Sequence, residues 1–195
     1  MSFLERILRA FCRFLEWILR PFCTPAYNPA PWNFQGTSSS PTNVQLSNNC
    51  YNYATDIQTG TFAQPGRASG LYALTPPPNC ADVGRGAVSD GLKPVDCDSG
   101  CGCRGCCHRV ALAVSLGTPV SWADDSGDVY ERPLYDYHWY RLDNNGMWSH
   151  KPGGWLATNR DASGNLISDP RTCNRGPYTT FCGCYCVCKS QVRIR

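Results

Sequence analysis

The sequence predicts an α+β domain with an antiparallel sheet over residues 48–190. Asparagines precede two short stretches, at 49–57 and 79–90, and asparagine is a favoured N-cap of a helix. A continuous apolar run at 110–114 is typical of a buried strand. Further strands are indicated by alternation and turn signals at three later stretches, namely 135–141, 147–150 and 180–188. A few helices and several paired strands within one unit are typical of the α+β class.

Residues 1–22 precede this domain and repeat apolar side chains at helical spacing, which predicts an amphipathic helix. Charged residues interrupt every apolar run, so the segment fits neither a transmembrane span nor a secretory signal. Three interpretations stay open: a helix on a membrane surface, a helix packed on the domain or on a protein partner, and a targeting presequence. The localisation is therefore open, with membrane-surface association and export as the two candidates.

Residues 23–47 are rich in proline and serine and predict a linker between the helix and the domain. The whole chain has 195 residues and 42% hydrophobic composition, which is enough for the core of one ordinary domain. Its formal net charge of +3 is too small to indicate a nucleic-acid surface. We therefore expect no nucleic-acid partner.

Cys50 is the candidate nucleophile, because it follows Asn48 and Asn49 at the start of a predicted helix. Unpaired N–H groups and the positive dipole end at a helix start favour the thiolate form of cysteine. His138 lies in the alternating, aromatic stretch 135–141 and is the candidate base. Both have a structural alternative, since Cys50 is one of 14 cysteines and His138 would also suit a hydrogen-bonded core position.

Three stretches of the sequence resemble papain-like cysteine hydrolases of the NlpC type: NCYNYA at 49–54, YHWYR at 137–141 and WSHKPG at 148–153. In that family the nucleophilic cysteine begins a helix that packs on an antiparallel sheet. The base and the polar residue that orients it come from adjacent strands. The resemblance covers residues 48 to about 188 and implies a papain-like fold for this part of the chain.

The resemblance also implies a triad in which Cys50 attacks, His138 shuttles the proton and His150 orients the imidazole. Such a site would make the protein a thiol hydrolase, a peptidase or amidase that acts on a peptide or amide-containing substrate through a thioester. It would require no cofactor for catalysis. Side chains that could donate to the oxyanion or orient the histidine instead are Asn48, Asn49, Asn159, Asp169 and Asn174.

The alternative function is a non-catalytic structural protein, or one that binds a membrane or a partner. In that case the helix at 1–22 would make the contacts, and the cysteines would staple the fold through disulfides or zinc.

Most of the remaining cysteines fall in two clusters, one in a loop at 97–108 and one in the last strand at 180–188. Strict alternation predicts that the four strand cysteines share one face, with Phe181, Tyr185 and Val187 on the other. Disulfides between loop and strand, a structural zinc ion and free thiols all remain open. The candidate metal ligands are Cys97, Cys101, Cys103, Cys106, Cys107, His108, Cys182, Cys184, Cys186 and Cys188.

Overall fold

The computed structural model describes residues 6, 7, 10, 11, 14, 24–37, 42–71, 77–98, 103, 106–123, 126 and 129–195. Most of the amphipathic segment predicted at 1–22 therefore lies outside the described residues. The five positions described there are helical, and Ile7, Phe11 and Phe14 among them are exposed. No helix in the described part of the chain is long and apolar enough to cross a bilayer.

Asparagine caps begin the three helices found between residues 42 and 98 of the described chain. They are α1 (Val44–Ser47), α2 (Cys50–Thr55) and α3 (Cys80–Ser89). The Asn49 side chain accepts hydrogen bonds from the N–H groups of Tyr51 and Asn52, which would otherwise be unpaired at the start of α2. The helix ends at Asp56, whose φ of 56° is left-handed. Both helices predicted from asparagine caps are therefore present, each a little shorter than predicted.

Five antiparallel strands form one sheet in the described residues, in the order β1-β5-β2-β3-β4. The strands are β1 (Lys93–Val95), β2 (His108–Ala123), β3 (Val129–Leu142), β4 (Trp148–His150) and β5 (Thr180–Val187). The last strand of the chain, β5, therefore lies between β1 and β2. It pairs with both, although they are far from it in sequence. The predicted α+β class with an antiparallel sheet is confirmed.

The two faces of the sheet are covered by different parts of the chain. On the helical face, α2 and α3 supply Tyr51 and Val83 to a core cluster with Leu112 and Trp139 of the sheet. The opposite face, called the loop face below, has its own cluster. It contains Ala111, Ala113, Tyr140, Leu142, Trp148, Ile167 and Cys184.

Strands β2 and β3 continue well beyond the rest of the sheet. The pairing of β2 with β5 ends at Val114, whereas its pairing with β3 runs to Ala123. The outer part is therefore a two-stranded ribbon, and its side chains are largely exposed, including Val129 at 70%. Pro119 lies opposite Pro133 within it, and proline is tolerated in a strand only where no ladder donor is needed. The apolar and alternating patterns predicted only the inner, buried part of both strands.

The prediction that the four cysteines of the last strand share one face is wrong, because β5 contains a bulge. The pairing with β2 shifts between Leu112 and Ala113, opposite Gly183 and Phe181. Gly183 has a φ of 142°, a conformation that other residues rarely adopt. This bulge turns Cys182 to the helical face and Phe181 to the loop face, while Cys184 stays on the loop face. A single irregular residue thus reverses the alternation that the sequence pattern assumes.

Candidate functional site

Cys50 lies in the core at the first position of α2 and is 5% exposed. Its Sγ lies 3.9 Å from the carbonyl oxygen of Tyr137. Burial raises the pKa of the Cys50 thiol to about 12, so the group is neutral at ordinary pH. The N–H groups that were expected to favour a thiolate, those of Tyr51 and Asn52, already donate to the Asn49 side chain. In the folded chain these two N–H groups are therefore already paired.

His138 and His150 are brought together by the pairing of β3 with β4. Tyr140 lies opposite His150, so His150 shares the loop face with His138, two residues before Tyr140. The distance from His138 Nε2 to His150 Nδ1 is 2.7 Å, and that from His150 Nε2 to the Arg160 carbonyl is 2.9 Å. Because a carbonyl only accepts, we assign the donor proton of His150 to Nε2. Its Nδ1 then accepts from His138 Nε2–H.

The His138 ring is enclosed by other rings of the loop face. It stacks on Tyr178 with a centroid distance of 4.8 Å and meets the edge of Tyr140 at 4.9 Å. Burial lowers the pKa of His138 and that of His150. Cys50 instead clusters with Tyr137 of the helical face. The two predicted histidines are therefore in contact with each other. Cys50 packs in the core cluster of the helical face, and its thiol also interacts electrostatically with Tyr140 and Tyr178, the two rings that contact His138.

The two candidate oxyanion side chains serve the local fold. Asn48 Oδ1 accepts from the backbone N–H groups of Thr59 and Gly60. Asn49 caps α2 and donates from Nδ2 to the Ala63 carbonyl. Both amides therefore hold loop backbone next to α2.

The other candidate orienting residues hydrogen-bond within the loops that follow β4. Asn159 accepts through its backbone carbonyl from Ile167. Asp169 pairs with Arg171, and the Asn174 side chain donates to Ser163 Oγ. His150 is therefore the candidate that the structure places against His138.

Four disulfides, called the disulfide ladder below, join earlier parts of the chain to successive cysteines at the end of the chain. They are Cys80–Cys182, Cys97–Cys184, Cys103–Cys186 and Cys107–Cys188. Their Cα–Cα distances lie between 4.2 and 5.3 Å. Each closes a long loop, and such closure restricts the unfolded chain. Of the three options that the sequence left open, loop-to-strand disulfides are present here, and Cys80 joins them although it lies outside both sequence clusters.

The remaining candidate ligands are placed differently. Cys106 is also disulfide-bonded, and Cys101 lies outside the described residues. His108 lies opposite Val187 of the helical-face core and contacts the Ala54 carbonyl through Nε2 at 2.7 Å. The His108 ring therefore lies on the helical face, while its backbone carbonyl is 3.5 Å from Cys103 Sγ.

Comparison with known proteins gives one close relationship. The chain is 43% identical over 163 residues to insoluble matrix shell protein 1 of Ruditapes philippinarum. The match covers 83% of this chain and 88% of the relative. The chain belongs to the family of insoluble matrix shell protein 1. No protein-family model matches the sequence, and no solved structure matches it.

This relationship overturns the hydrolase prediction. A chain of the shell matrix protein family that resembles its relative over most of both lengths fits the structural alternative, and the peptidase or amidase function is wrong. The burial of Cys50 and its raised pKa agree with that correction. The resemblance to NlpC-type domains is a separate matter and stays a prediction.

Two buried cations of this shell matrix family member were missed by the sequence analysis. Arg141 is 1% exposed, donates to the buried Asp143 at 3.0 Å, and has its guanidinium 4.1 Å from the centre of the Tyr53 ring. Lys151 is fully buried and donates from Nζ to the carbonyls of Gln45, Asn48 and Gly153, each at 2.6 Å. Alternation along β3 places Arg141 on the same face as Trp139, and this pattern could have predicted the burial of Arg141. Nothing in the sequence around Lys151 indicates its burial.

We expect the stability of this protein to fall as the pH drops below about 6.5, because its buried histidines stay neutral when folded. Burial lowers the pKa of His108 to about 4 from an ordinary value of 6.5. The unfolded chain therefore binds this proton first, and His108 removes about 3 kcal/mol of stability between pH 6.5 and 4. His138 and His150 act in the same direction.

Urea unfolding at pH 7.5, 6 and 4.5 of the wild type and of His108→Gln measures this contribution. Burial raises the pKa of Asp90, Asp136 and Asp143, so these carboxyls oppose the histidines at the acid end of the range. Both chains carry these three carboxyls, so the effect of the carboxyls cancels when the free energy of unfolding of one chain is subtracted from that of the other. If the free energy of unfolding of the two chains has the same pH dependence, His108 is not the cause of the lost stability at acid pH.

Proposed function

We propose that the protein is an extracellular structural component of an insoluble shell matrix, a building block whose fold is fixed by disulfides. The observation that carries this proposal is the 43% identity to insoluble matrix shell protein 1 over most of both chains.

The disulfide ladder supports an exported location. Disulfides persist in oxidising compartments and are rare in the cytosol. Here four of them converge on one stretch, from Cys182 to Cys188, which includes most of the inner strand β5. A chain cross-linked in this way keeps its shape outside the cell, where no chaperone restores it.

Exposed apolar side chains support association with other matrix components. Trp155 is 77% exposed, Leu46 60% and Phe62 40%. Gly154 lies beside Leu46 and Phe62, which places the three exposed side chains in one neighbourhood. The partner contact predicted for residues 1–22 stays a prediction, and the exposed side chains of Ile7, Phe11 and Phe14 support it.

For the fold, we propose a papain-like arrangement of the NlpC type that serves a structural role. Three features support it: α2 begins at Cys50, α2 packs on β3, and His138 and His150 lie on adjacent strands. An experimental structure superposed on an NlpC domain tests this directly. The proposal fails if the helix that begins at Cys50 and the two histidine strands have no equivalents in the same order.

Fractionation of the shell tests the proposed function. Antibodies raised against residues 129–195 should detect the protein in the insoluble material that remains after the mineral of the shell is dissolved. We expect denaturant together with a thiol reductant to release more of it than denaturant alone, because its own cysteines are cross-linked. If the protein is detected in cell extracts or body fluid and not in the insoluble shell material, the proposal is contradicted. Pre-immune serum on the same fractions is the matched control.

A further inference from the structure

Two neighbouring disulfides of the ladder bring four sulfur atoms into one buried cluster. Cys103, Cys186 and Cys188 are each at most 9% exposed and form a core cluster that Cys107 packs against. The Sγ atoms of Cys107, Cys186 and Cys188 all lie within 4.8 Å of one another. The Cys103 sulfur is bonded to that of Cys186. All four sulfurs therefore point into the same small volume.

The backbone already holds these cysteines at the separations that a tetrahedral thiolate site needs. Zinc binds four thiolates at about 2.3 Å, so its sulfur ligands lie roughly 3.8 Å apart. Cys186 and Cys188 are two residues apart at the end of the sheet, and their loop partners have Cα atoms 5.3 and 4.2 Å from them. With three of the sulfur atoms already within 4.8 Å of one another, the four side chains need only a small change of separation to surround one ion.

A buried cation lies next to this cluster. Arg109 of β2 is directly opposite Cys186 of β5, so its side chain leaves the sheet on the cysteine face. The residue is 8% exposed, and its Nη1 donates to the Cys97 carbonyl at 3.0 Å. Four thiolates around one Zn²⁺ carry a net charge of −2. A guanidinium on the same face offsets part of that charge in a medium of low dielectric.

We propose that Cys103, Cys107, Cys186 and Cys188 bind one Zn²⁺ when their two disulfides are reduced. Each disulfide takes up two electrons from a dithiol, which also supplies two protons, or from a phosphine, which becomes its oxide while water supplies the protons. The two disulfides together give four thiols. Zinc binding then releases four protons to solvent as four Zn–S bonds form. Because the same sulfurs make either the disulfides or the metal site, oxidation and metal binding exclude each other. The site goes beyond the proposed function and does not depend on it.

Cobalt titration of the full chain tests the site. Protein reduced with a phosphine is titrated with Co²⁺, whose tetrahedral thiolate complex absorbs visible light, and Zn²⁺ is then added as competitor. We expect one Co²⁺ per chain, complete displacement by Zn²⁺, and no signal from the oxidised protein. A signal from oxidised protein would overturn the proposal, because it would require ligands other than these thiolates.

Two variants with equal numbers of cysteines separate this site from general binding by a reduced chain. Cys186→Ser/Cys188→Ser removes two of the four ligands, and we expect an affinity loss beyond the roughly 10- to 100-fold that an outer-shell contact costs. Cys97→Ser/Cys184→Ser removes a neighbouring disulfide and should bind like the wild type. Equal behaviour of the two variants would show that an unfolded chain binds the metal and would overturn the site. Shell fractionation is unaffected by either result, so the two proposals fail separately.

Discussion

Replacing Cys80 and Cys182 together with alanine is expected to lower the free energy of unfolding by about 3 kcal/mol. The pair is separated by 102 residues. While the other three disulfides of the ladder remain, however, removing this bridge opens a ring of only about 20 residues. The ring passes from Cys80 to Cys97, across the next bridge to Cys184, and back to Cys182. The expected loss in the free energy of unfolding is therefore set by the ring of about 20 residues, and not by the full separation of 102 residues.

Urea unfolding of the oxidised proteins measures this loss, with Cys173→Ala as the control, because Cys173 is a free cysteine. We expect the control to change stability much less than the disulfide variant. We also expect that removing the Cys97–Cys184 bridge as well costs slightly more than the sum of the two single losses, because each bridge closes a longer ring once the other is gone and the cost grows only with the logarithm of ring length. A loss below about 1 kcal/mol for the first variant would mean that packing alone holds α3 against β5.

Replacing Arg141 with methionine is expected to cost about 3–5 kcal/mol, because it leaves the buried Asp143 without its cation. Both side chains are at most 1% exposed, and the Arg141 guanidinium also donates to the Tyr53 hydroxyl and to Asp56. Burial already raises the pKa of Asp143, while Arg141 opposes the shift. Without the arginine the pKa of Asp143 rises further, so the loss should be largest at neutral pH and become smaller as the pH falls and the carboxyl takes up a proton.

A second variant and a surface control make this test specific. Arg141→Met/Asp143→Leu removes both charges and should recover much of the stability lost in the single variant. Arg171→Met removes an arginine that pairs with Asp169 but is 39% exposed, and should cost under about 1 kcal/mol. If the two single variants lose equal stability, the buried pair has no special role.

Some elements were predictable because their signals are local. An asparagine side chain that accepts from the N–H groups ahead of it favours a helix start through a few neighbouring residues, and Asn49 and Asn79 both act in this way. The apolar run at 110–114 and the Asn145-Gly146 turn likewise marked parts of β2 and the β3–β4 hairpin. The meeting of His138 with His150 follows from that hairpin.

Other features depend on parts of the chain that are remote in sequence. The bulge at Gly183 sends Cys182 to the face opposite Cys184, and period-two counting has no means to detect it. Lys151 is buried because α1 and the loop after β4 supply three carbonyls to its ammonium. The function was also missed, since a cysteine at a helix start followed by a strand histidine was interpreted as a catalytic pair.

Local patterns were enough to predict the helix starts, the inner strands and the two cysteine-rich stretches. Which cysteines pair, which face each side chain takes and how deeply the thiol of Cys50 is buried depend on the folded chain. The two groups of features differ in the range of the interactions behind them. Capping and alternation act over a few residues, whereas the pKa of Cys50 is raised by burial among side chains from α2 and β3. Disulfide pairing likewise requires Cα atoms to meet across 81 to 102 residues of chain, which only the folded sheet arranges.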